Sequence, residues 1–250
     1  VVHDLMVSYR KKPVLWNINF KLPKAKLIGI IGPNGAGKST LIKTIMNLIE
    51  PRGGTIQVFG KGLEEVRDEI SYVPQTETVD WDFPASVMDV VMMGRYAHRG
   101  FFRRYNSEDK AIAKKCLETV GMLPYAKRQI SQLSGGQQQR VFVARSLAQE
   151  ASLYFMDEPM AGIDASTEAS ILKLLQEMRN DGKTILVVHH DLQSAYEHFD
   201  WIIFLNTRLI AYGPTEEVFT EKIIQQTYGG TPAILSSVAE IIKQKGLNIH

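Results

Sequence analysis

A chain of 250 residues, 44% hydrophobic and 22% charged, can bury a sizeable core and has the make-up of an ordinary globular protein. Its formal net charge of +2 is too small to mark a nucleic-acid binder or a protein held on membranes by charge, so no nucleic-acid partner is expected. Its single cysteine, Cys116, excludes an internal disulfide framework and fits a reducing compartment.

No apolar run approaches the roughly 20 residues of a membrane helix; Val90-Val91-Met92-Met93 is among the longest. If this protein moves anything across a membrane, another chain supplies the channel. No signal peptide is recognisable, and because the sequence opens at Val1 rather than at a methionine, a few residues are expected to precede it.

In chain order, Val2 to Tyr9 and Val14 to Leu22 read as strands joined by the turn Arg10-Lys11-Lys12-Pro13. The apolar run Leu27-Ile28-Gly29-Ile30-Ile31 is followed by Gly32-Pro33-Asn34-Gly35-Ala36-Gly37-Lys38-Ser39-Thr40. Leu41 to Met46 then has helical apolar spacing. After a break at Pro51-Arg52-Gly53-Gly54, Thr55 to Phe59 and Ile70 to Val73 read as short strands. A helical region comes next. Ser86 and Asp89 have the spacing of a capping box, and Ser107, followed by Glu108 and Asp109, is expected to open a second helix. Cys116 lies among Ala111, Ala113 and Leu117 and reads as a buried structural thiol. Leu153 to Met156 and Thr184 to Val188 suit buried parallel strands, with a helix from about Ser166 to Asn180 between them. Strands at Trp201 to Leu205 and Leu209 to Tyr212 precede helical segments that run to His250. There is no internal repeat, and the layout is an α/β core with a helical insertion between about Thr76 and Gln149.

Strand, glycine-rich loop and helix carrying G-x-x-x-x-G-K-S form the P-loop layout. Glycines let backbone N–H groups close around phosphate oxygens, and the helix N-terminus adds its positive end. Lys38 is expected to reach the outer phosphates and Ser39 to ligate Mg²⁺, so the chain binds a nucleoside triphosphate. Downstream, Leu153-Tyr154-Phe155-Met156-Asp157-Glu158-Pro159 is an apolar strand ending in two carboxylates. Adjacent side chains there point different ways. Asp157 is expected to serve the metal, directly or through water, and Glu158 to polarise the attacking water as general base. Leu133-Ser134-Gly135-Gly136-Gln137, just before the helix carrying Gln139-Arg140-Val141, is a second loop-to-helix anion site.

In this order the motifs resemble the nucleotide-binding subunit of ATP-binding-cassette (ABC) transporters, over Tyr9 to Asp191. The resemblance implies an α/β fold with a P-loop NTPase (RecA-like) core of mainly parallel sheet, an antiparallel β subdomain near the N-terminus and an inserted helical subdomain. It implies one ABC ATPase domain: core and β subdomain at 1–75 and 150–228, a helical, signature-bearing subdomain at 76–149 and a tail at 229–250. Tyr9 stands where the family stacks an aromatic on adenine, and Gln75 where it places a glutamine that serves the metal and the reaction. Leu133 to Gln137 matches the signature, with Ser134, Gly135, Gly136 and Gln137 binding nucleotide. Ala161-Gly162-Ile163-Asp164 matches the D-loop, with Asp164 at the nucleotide, and His190 matches the switch histidine. His189 departs from the threonine or serine expected there, and no role is assigned to it. Tyr9 as a half-buried strand tyrosine, Gln75 as a solvated loop glutamine and His189-His190 as a metal pair are the structural alternatives.

The family sandwiches ATP between the P-loop of one copy and the signature of a second, so a head-to-tail dimer is implied. The aromatic and arginine-rich stretch 76–105 is where the family receives the membrane permease, and such residues are enriched in interface hot spots. The segments 79–84 and 89–96 resemble the bacterial importers of manganese, zinc and iron, most closely the manganese members. The implied protein is the ATP-hydrolysing subunit of a metal-ion importer, peripheral on the cytoplasmic membrane face, with an extracellular metal-binding protein as indirect partner. A zinc or iron/chelate importer, or a soluble ABC ATPase of iron–sulfur cluster assembly, is the alternative.

Overall fold

The computed structural model describes residues 1–10, 12–75, 84–96 and 105–229. Its strands are β1 Val2–Tyr9, β2 Lys12–Phe20, β3 Leu27–Ile31, β4 Gly53–Ile56, β5 Ile70–Val73, β6 Leu153–Asp157, β7 Thr184–Val188, β8 Trp201–Asn206 and β9 Arg208–Pro214. Its α-helices are α1 Lys38–Ile45, α2 Val87–Met92, α3 Ser107–Thr119, α4 Gly135–Ala148, α5 Ala165–Asn180, α6 Leu192–His198, α7 Thr215–Val218 and α8 Glu221–Tyr228. The chain divides into two compact units, Val1–Val66 with the chain from Leu186 onward, and Arg67–Ile185.

In the first unit β1 pairs antiparallel with β2 on one side and β4 on the other. Leu5 opposes Ile18 and Val7 opposes Leu15, and all four are buried. The register shifts on either side of Leu5 accompany left-handed backbone at Asp4 and Asn17, residue types that tolerate it. The Asn19 amide oxygen accepts from Asp4 N at 2.8 Å and so satisfies one donor of this irregular stretch. β3 is buried along its whole length and runs parallel to β8, Ile28 beside Trp201 and Ile31 beside Phe204. Burial on both faces explains its unbroken apolar run. β9 returns antiparallel to β8.

In the second unit β5 runs parallel to β6, from Ile70 beside Leu153 to Val73 beside Met156. Helices α2, α3 and α4 pack on one another, burying Val87, Val90 and Val91, then Ala113 and Leu117, then Val141, Phe142 and Ala144. α5 buries Ile171, Leu172, Leu175 and Met178, the i, i+1, i+4, i+7 stripe of an amphipathic helix. The last strand, β7, begins in this unit and ends in the first.

The fold is therefore α/β, with an antiparallel sheet and mixed, mostly parallel pairing elsewhere, as expected. The Ser86–Asp89 capping box is present, Ser86 Oγ accepting from Asp89 N at 3.1 Å and Asp89 Oδ2 from Ser86 N at 3.0 Å. The second helix opens at Ser107, as expected. Asn106 is its N-cap, bonded reciprocally with Asp109, and Ser107 is its first helical residue. Both residue types cap well, but only Asn106 stands three before the acid. The strand expected at 55–59 is β4, ending at Ile56, because Phe59 and Gly60 take left-handed backbone in a turn where Val58 bridges Lys61. A 3₁₀ helix at Leu63–Glu69 has no counterpart in the sequence reading. Cys116 is only partly buried, and burial still pushes its thiol up to about 11. The helical continuation to His250 lies outside the described residues beyond Gly229.

Candidate nucleotide site

In the first unit the loop 32–37 connects β3 to α1. A Cβ on Gly32 would collide with the Leu205 carbonyl oxygen, so only glycine fits there. Gly37, the N-cap of α1, has φ +97°, and a Cβ on it would lie 2.7 Å from Leu15 Cδ2. No side chain caps α1 and no acid occupies its first turn, so no carboxylate offsets the positive end of the helix at the loop. The Lys38 side chain is 6% exposed, and its Nζ donates to Gly32 O at 2.8 Å and to Pro33 O at 3.0 Å. These bonds stretch the ammonium back over the loop. Ser39 and Thr40 are half-buried on the first turn, while Asn34 and Gly35 are exposed and Ala36 is buried. This combination of uncapped helix, glycine-only bend and one clamped ammonium is built for phosphate oxygens.

Tyr9, at the end of β1, is a strand tyrosine about half exposed, at 51%, so its side chain is accessible. His190 is exposed, whereas His189 is buried beside it. The His189 ring lies 5.7 Å from that of His190 and 5.4 Å from that of Phe199, and its Nε2 has no hydrogen-bond partner among the described residues. Burial first, and the neighbouring His190 and His198 further, pull its pKa down to about 4 against the opposing pull of Asp191. His189 is therefore neutral in the folded protein. Among the described residues no group of three or more His, Cys, Asp or Glu could hold a metal ion.

In the second unit Asp157 closes β6 and is buried, while Glu158 turns away on left-handed backbone with φ 52°. Gln75, two residues beyond β5, donates from Nε2 to Glu158 Oε2 at 3.1 Å. The glutamine and the candidate base are thus brought together by the parallel pairing of β5 and β6. Tyr72, on β5, was missed by the sequence reading. Its hydroxyl is buried without a partner among the described residues, and burial, then the Asp157 charge, push its pKa up to about 12. It stays protonated beside the carboxylate. Only the register that sets Tyr72 beside Phe155, one residue from Met156 and two from Asp157, reveals it.

The signature loop is a helix start. Ser134 is the N-cap of α4, its Oγ accepting from Gln137 N at 3.4 Å while Gln137 Oε1 accepts from Ser134 N at 3.1 Å. Ser134 and Gly135 are exposed. Gly136 sits against Ile163, 3.2 Å from where its Cβ would be to Ile163 Cγ2, so the start of α4 meets the segment that precedes α5. Asp164 is exposed in its own role as N-cap of α5, accepting from Thr167 N at 3.0 Å and Thr167 Oγ1 at 2.7 Å. Of the stretch 76–105 assigned to a permease, residues 76–83 and 97–104 lie outside the described residues.

The family described as ABC transporter matches residues 15–161. The chain is 59% identical over 227 residues, 91% of each chain, to the manganese transport system ATP-binding protein MntB of Bacillus subtilis (strain 168). It is 52% identical over 229 residues, 92% of this chain and 86% of the other, to the zinc transport system ATP-binding protein TroB of Treponema pallidum (strain Nichols). Among solved structures it resembles the dimeric post-hydrolysis state of the ATP-binding cassette MJ0796 bound to ADP and Pi, with TM-score 0.76, 26% identity and coverage of 86% of this chain and 97% of that one. It also resembles cbiO1 from Clostridium perfringens, part of the ABC transporter complex cbiONQ, with TM-score 0.75, 27% identity and coverage of 96% and 97%. The chain belongs to the ABC transporter family, as a subunit that binds and hydrolyses ATP.

Proposed function

We propose that this chain drives import of a divalent transition-metal ion, manganese first, as one of two identical ATPase subunits beneath membrane permease chains on the cytoplasmic face. The observation that carries this reading is the 59% identity to a manganese transport ATP-binding protein across nine-tenths of both chains. Zinc is the second reading, favoured by the 52% identity to TroB. No helix among the described residues is long and apolar enough to cross a membrane, so the translocation path is assigned to other chains.

Within this reading the P-loop residues Gly32 to Thr40 hold the triphosphate, Tyr9 stacks on adenine and His190 contacts the γ-phosphate. Ser39, Gln75 and Asp157 are assigned to Mg²⁺. The donor set fits a hard cation, because a hydroxyl, an amide and a buried carboxylate are all oxygen ligands. When bound, Mg²⁺ would neutralise charge on the phosphates. Glu158 takes the proton of the attacking water, and Gln75 holds that carboxylate in place. Ser134 to Gln137 and Asp164 serve the nucleotide of the second copy, in a head-to-tail dimer. A triphosphate carries more negative charge than one lysine and one cation offset, and the exposed N-terminus of α4 supplies donors from the neighbouring chain.

The permease is assigned to the region 76–105. Among its described residues, Met93 and Tyr96 are 43% and 48% exposed. They line a cavity of ≈ 190 Å³ with Tyr72, Gly94, Arg145 and Gln149, where apolar and arginine side chains suit a docked helix. An extracellular metal-binding protein delivers the ion to the permease. The test is ATPase activity in liposomes holding the chain with its copurifying permease and external binding protein. Stimulation by manganese-loaded binding protein is expected. Stimulation by the zinc-loaded form alone would select the second reading, and absence of any membrane partner would select the soluble assembly factor.

A further inference from the structure

Arg95 is 5% exposed and belongs to the short 3₁₀ turn Met93–Arg95 that ends α2. Its guanidinium reaches three groups at once. Nε donates to Asp109 Oδ1 at 3.2 Å, and Nη1 donates to Ala148 O at 2.7 Å and Glu150 Oε2 at 2.6 Å. Asp109 is fully buried and also caps α3 through Asn106. Ala148 O is a terminal carbonyl of α4, a group that lacks an intrahelical partner. Burial pulls the guanidinium's pKa down, but the bonds and charges of Glu150 and Asp109 outweigh it, so the net shift is upward and the group is a fixed cation. Next to it Gly94 is pressed against the same helix end, where a Cβ would collide with Arg145 O. The turn therefore meets α4 by backbone contact on one side and by a planar fork on the other.

The same end of α4 is bonded to β5. Ser146 Oγ lies 2.8 Å from Ser71 Oγ, and Gln149 Nε2 donates to Ile70 O at 2.6 Å. β5 leads to Gln75 and so to Glu158. The other end of α4, 14 residues away and about 20 Å along the axis, carries Ser134. Met93, the first residue of the pinned turn, and Tyr96, just after it, are exposed.

We propose that Arg95 is a positioning residue that couples the Met93–Tyr96 surface to hydrolysis, by making the C-terminal end of α4 move with that turn. A displacement imposed on Met93 or Tyr96 is passed to the signature loop along a rigid helix, and to Gln75 along β5. The guanidinium is needed because its Nε and Nη1 reach Asp109, Ala148 O and Glu150 together. A lysine ammonium keeps the charge but cannot span all three. The proposal rests on the reading of this surface as the permease dock.

The test compares ATPase activity of the chain alone with that of the chain in liposomes with the membrane subunits that copurify with it. For Arg95→Lys the activity alone is expected within about twofold of wild type, and the stimulated part is expected to fall about tenfold, the size of a typical coupling energy. Glu150→Gln, at a largely exposed acid, leaves the Asp109 pair intact and is expected to give a smaller loss of stimulation alone. Unaltered stimulation in both variants, or a proportional loss of both activities, overturns the proposal. If Arg95→Lys does not melt cooperatively, Glu150→Gln decides. A wild-type chain that the membrane subunits do not stimulate overturns the docking reading itself, whereas a stimulated wild type with equally stimulated variants overturns only the role of Arg95.

Discussion

The Gln75 amide donates to the Glu158 carboxylate across 3.1 Å, joining residues 83 apart in sequence through the pairing of β5 with β6. The bond occupies one carboxylate oxygen and leaves the other to accept from water. It also restrains a side chain whose backbone sits in the left-handed region at φ 52°. Glu158→Gln keeps the shape and removes the basicity. Turnover is expected to fall by about 10²- to 10⁴-fold, the usual contribution of a general base, while ATP binding persists and the ATP-bound dimer accumulates in gel filtration. Near-normal hydrolysis by this variant would remove Glu158 from the mechanism.

The P-loop glycines separate two physical requirements. At Gly32 the obstacle is space, since a side chain meets the Leu205 carbonyl oxygen. At Gly35 nothing lies within 4 Å of a Cβ, but φ is +80°. Gly35→Ala is therefore expected to cost about 1 kcal/mol of stability through left-handed strain alone. Gly32→Ala is expected to cost about 1–3 kcal/mol through overpacking and to abolish nucleotide binding, because β8 must shift away from the loop. Urea unfolding and fluorescent-nucleotide titration of both variants check the order, and equal effects would contradict it.

Features that depend on near neighbours were legible in the sequence. The P-loop, the Ser86–Asp89 box and the Asp157-Glu158 strand end each lie within a few residues, and the runs at β3, β6 and β7 are apolar because both faces are buried. The helix start at Ser107 was legible in the same way, and the structure adds its N-cap, Asn106, bonded reciprocally with Asp109. What sequence reading missed is long-range register. Tyr72 beside Asp157, Gln75 on Glu158 and the fork of Arg95 onto Asp109 and Glu150 are all set by packing between segments, which no local pattern encodes. His189 was a departure without a role, and only its burial against Phe199 gives it one.

Ser134 has two tasks that substitution can separate. Its Oγ caps α4 through Gln137 N, and its exposed position suits the proposed contact with a second copy's nucleotide. Ser134→Ala loses the cap, at about 1 kcal/mol, and is expected to leave partial turnover. Ser134→Arg adds bulk and is expected to abolish hydrolysis by blocking dimer closure, while the affinity of a single chain for ATP stays within about twofold, because the proposed contact is with a second copy's nucleotide. Loss of nucleotide binding in the single chain would contradict the assignment of the signature to a neighbour's site.

His189 makes stability depend on acidity. Its folded pKa of about 4 lies below the ordinary histidine value near 6.5, so below that value the unfolded chain binds the proton more readily than the folded one. Stability is complete above about pH 6.5 and is lost progressively as pH falls toward about 4, below which the loss levels off. Between pH 8 and pH 5 the expected loss from this residue is about 2 kcal/mol. His190 and His198 deepen the effect and Asp191 opposes it. His189→Thr removes the titrating group and also the ring packed on Phe199, so the variant is expected to be less stable at pH 8. Its urea-unfolding free energy is expected to change less with acidity, by the same ~2 kcal/mol between pH 8 and pH 5. Parallel pH profiles for the two proteins would show that the imidazole is not held neutral by its surroundings.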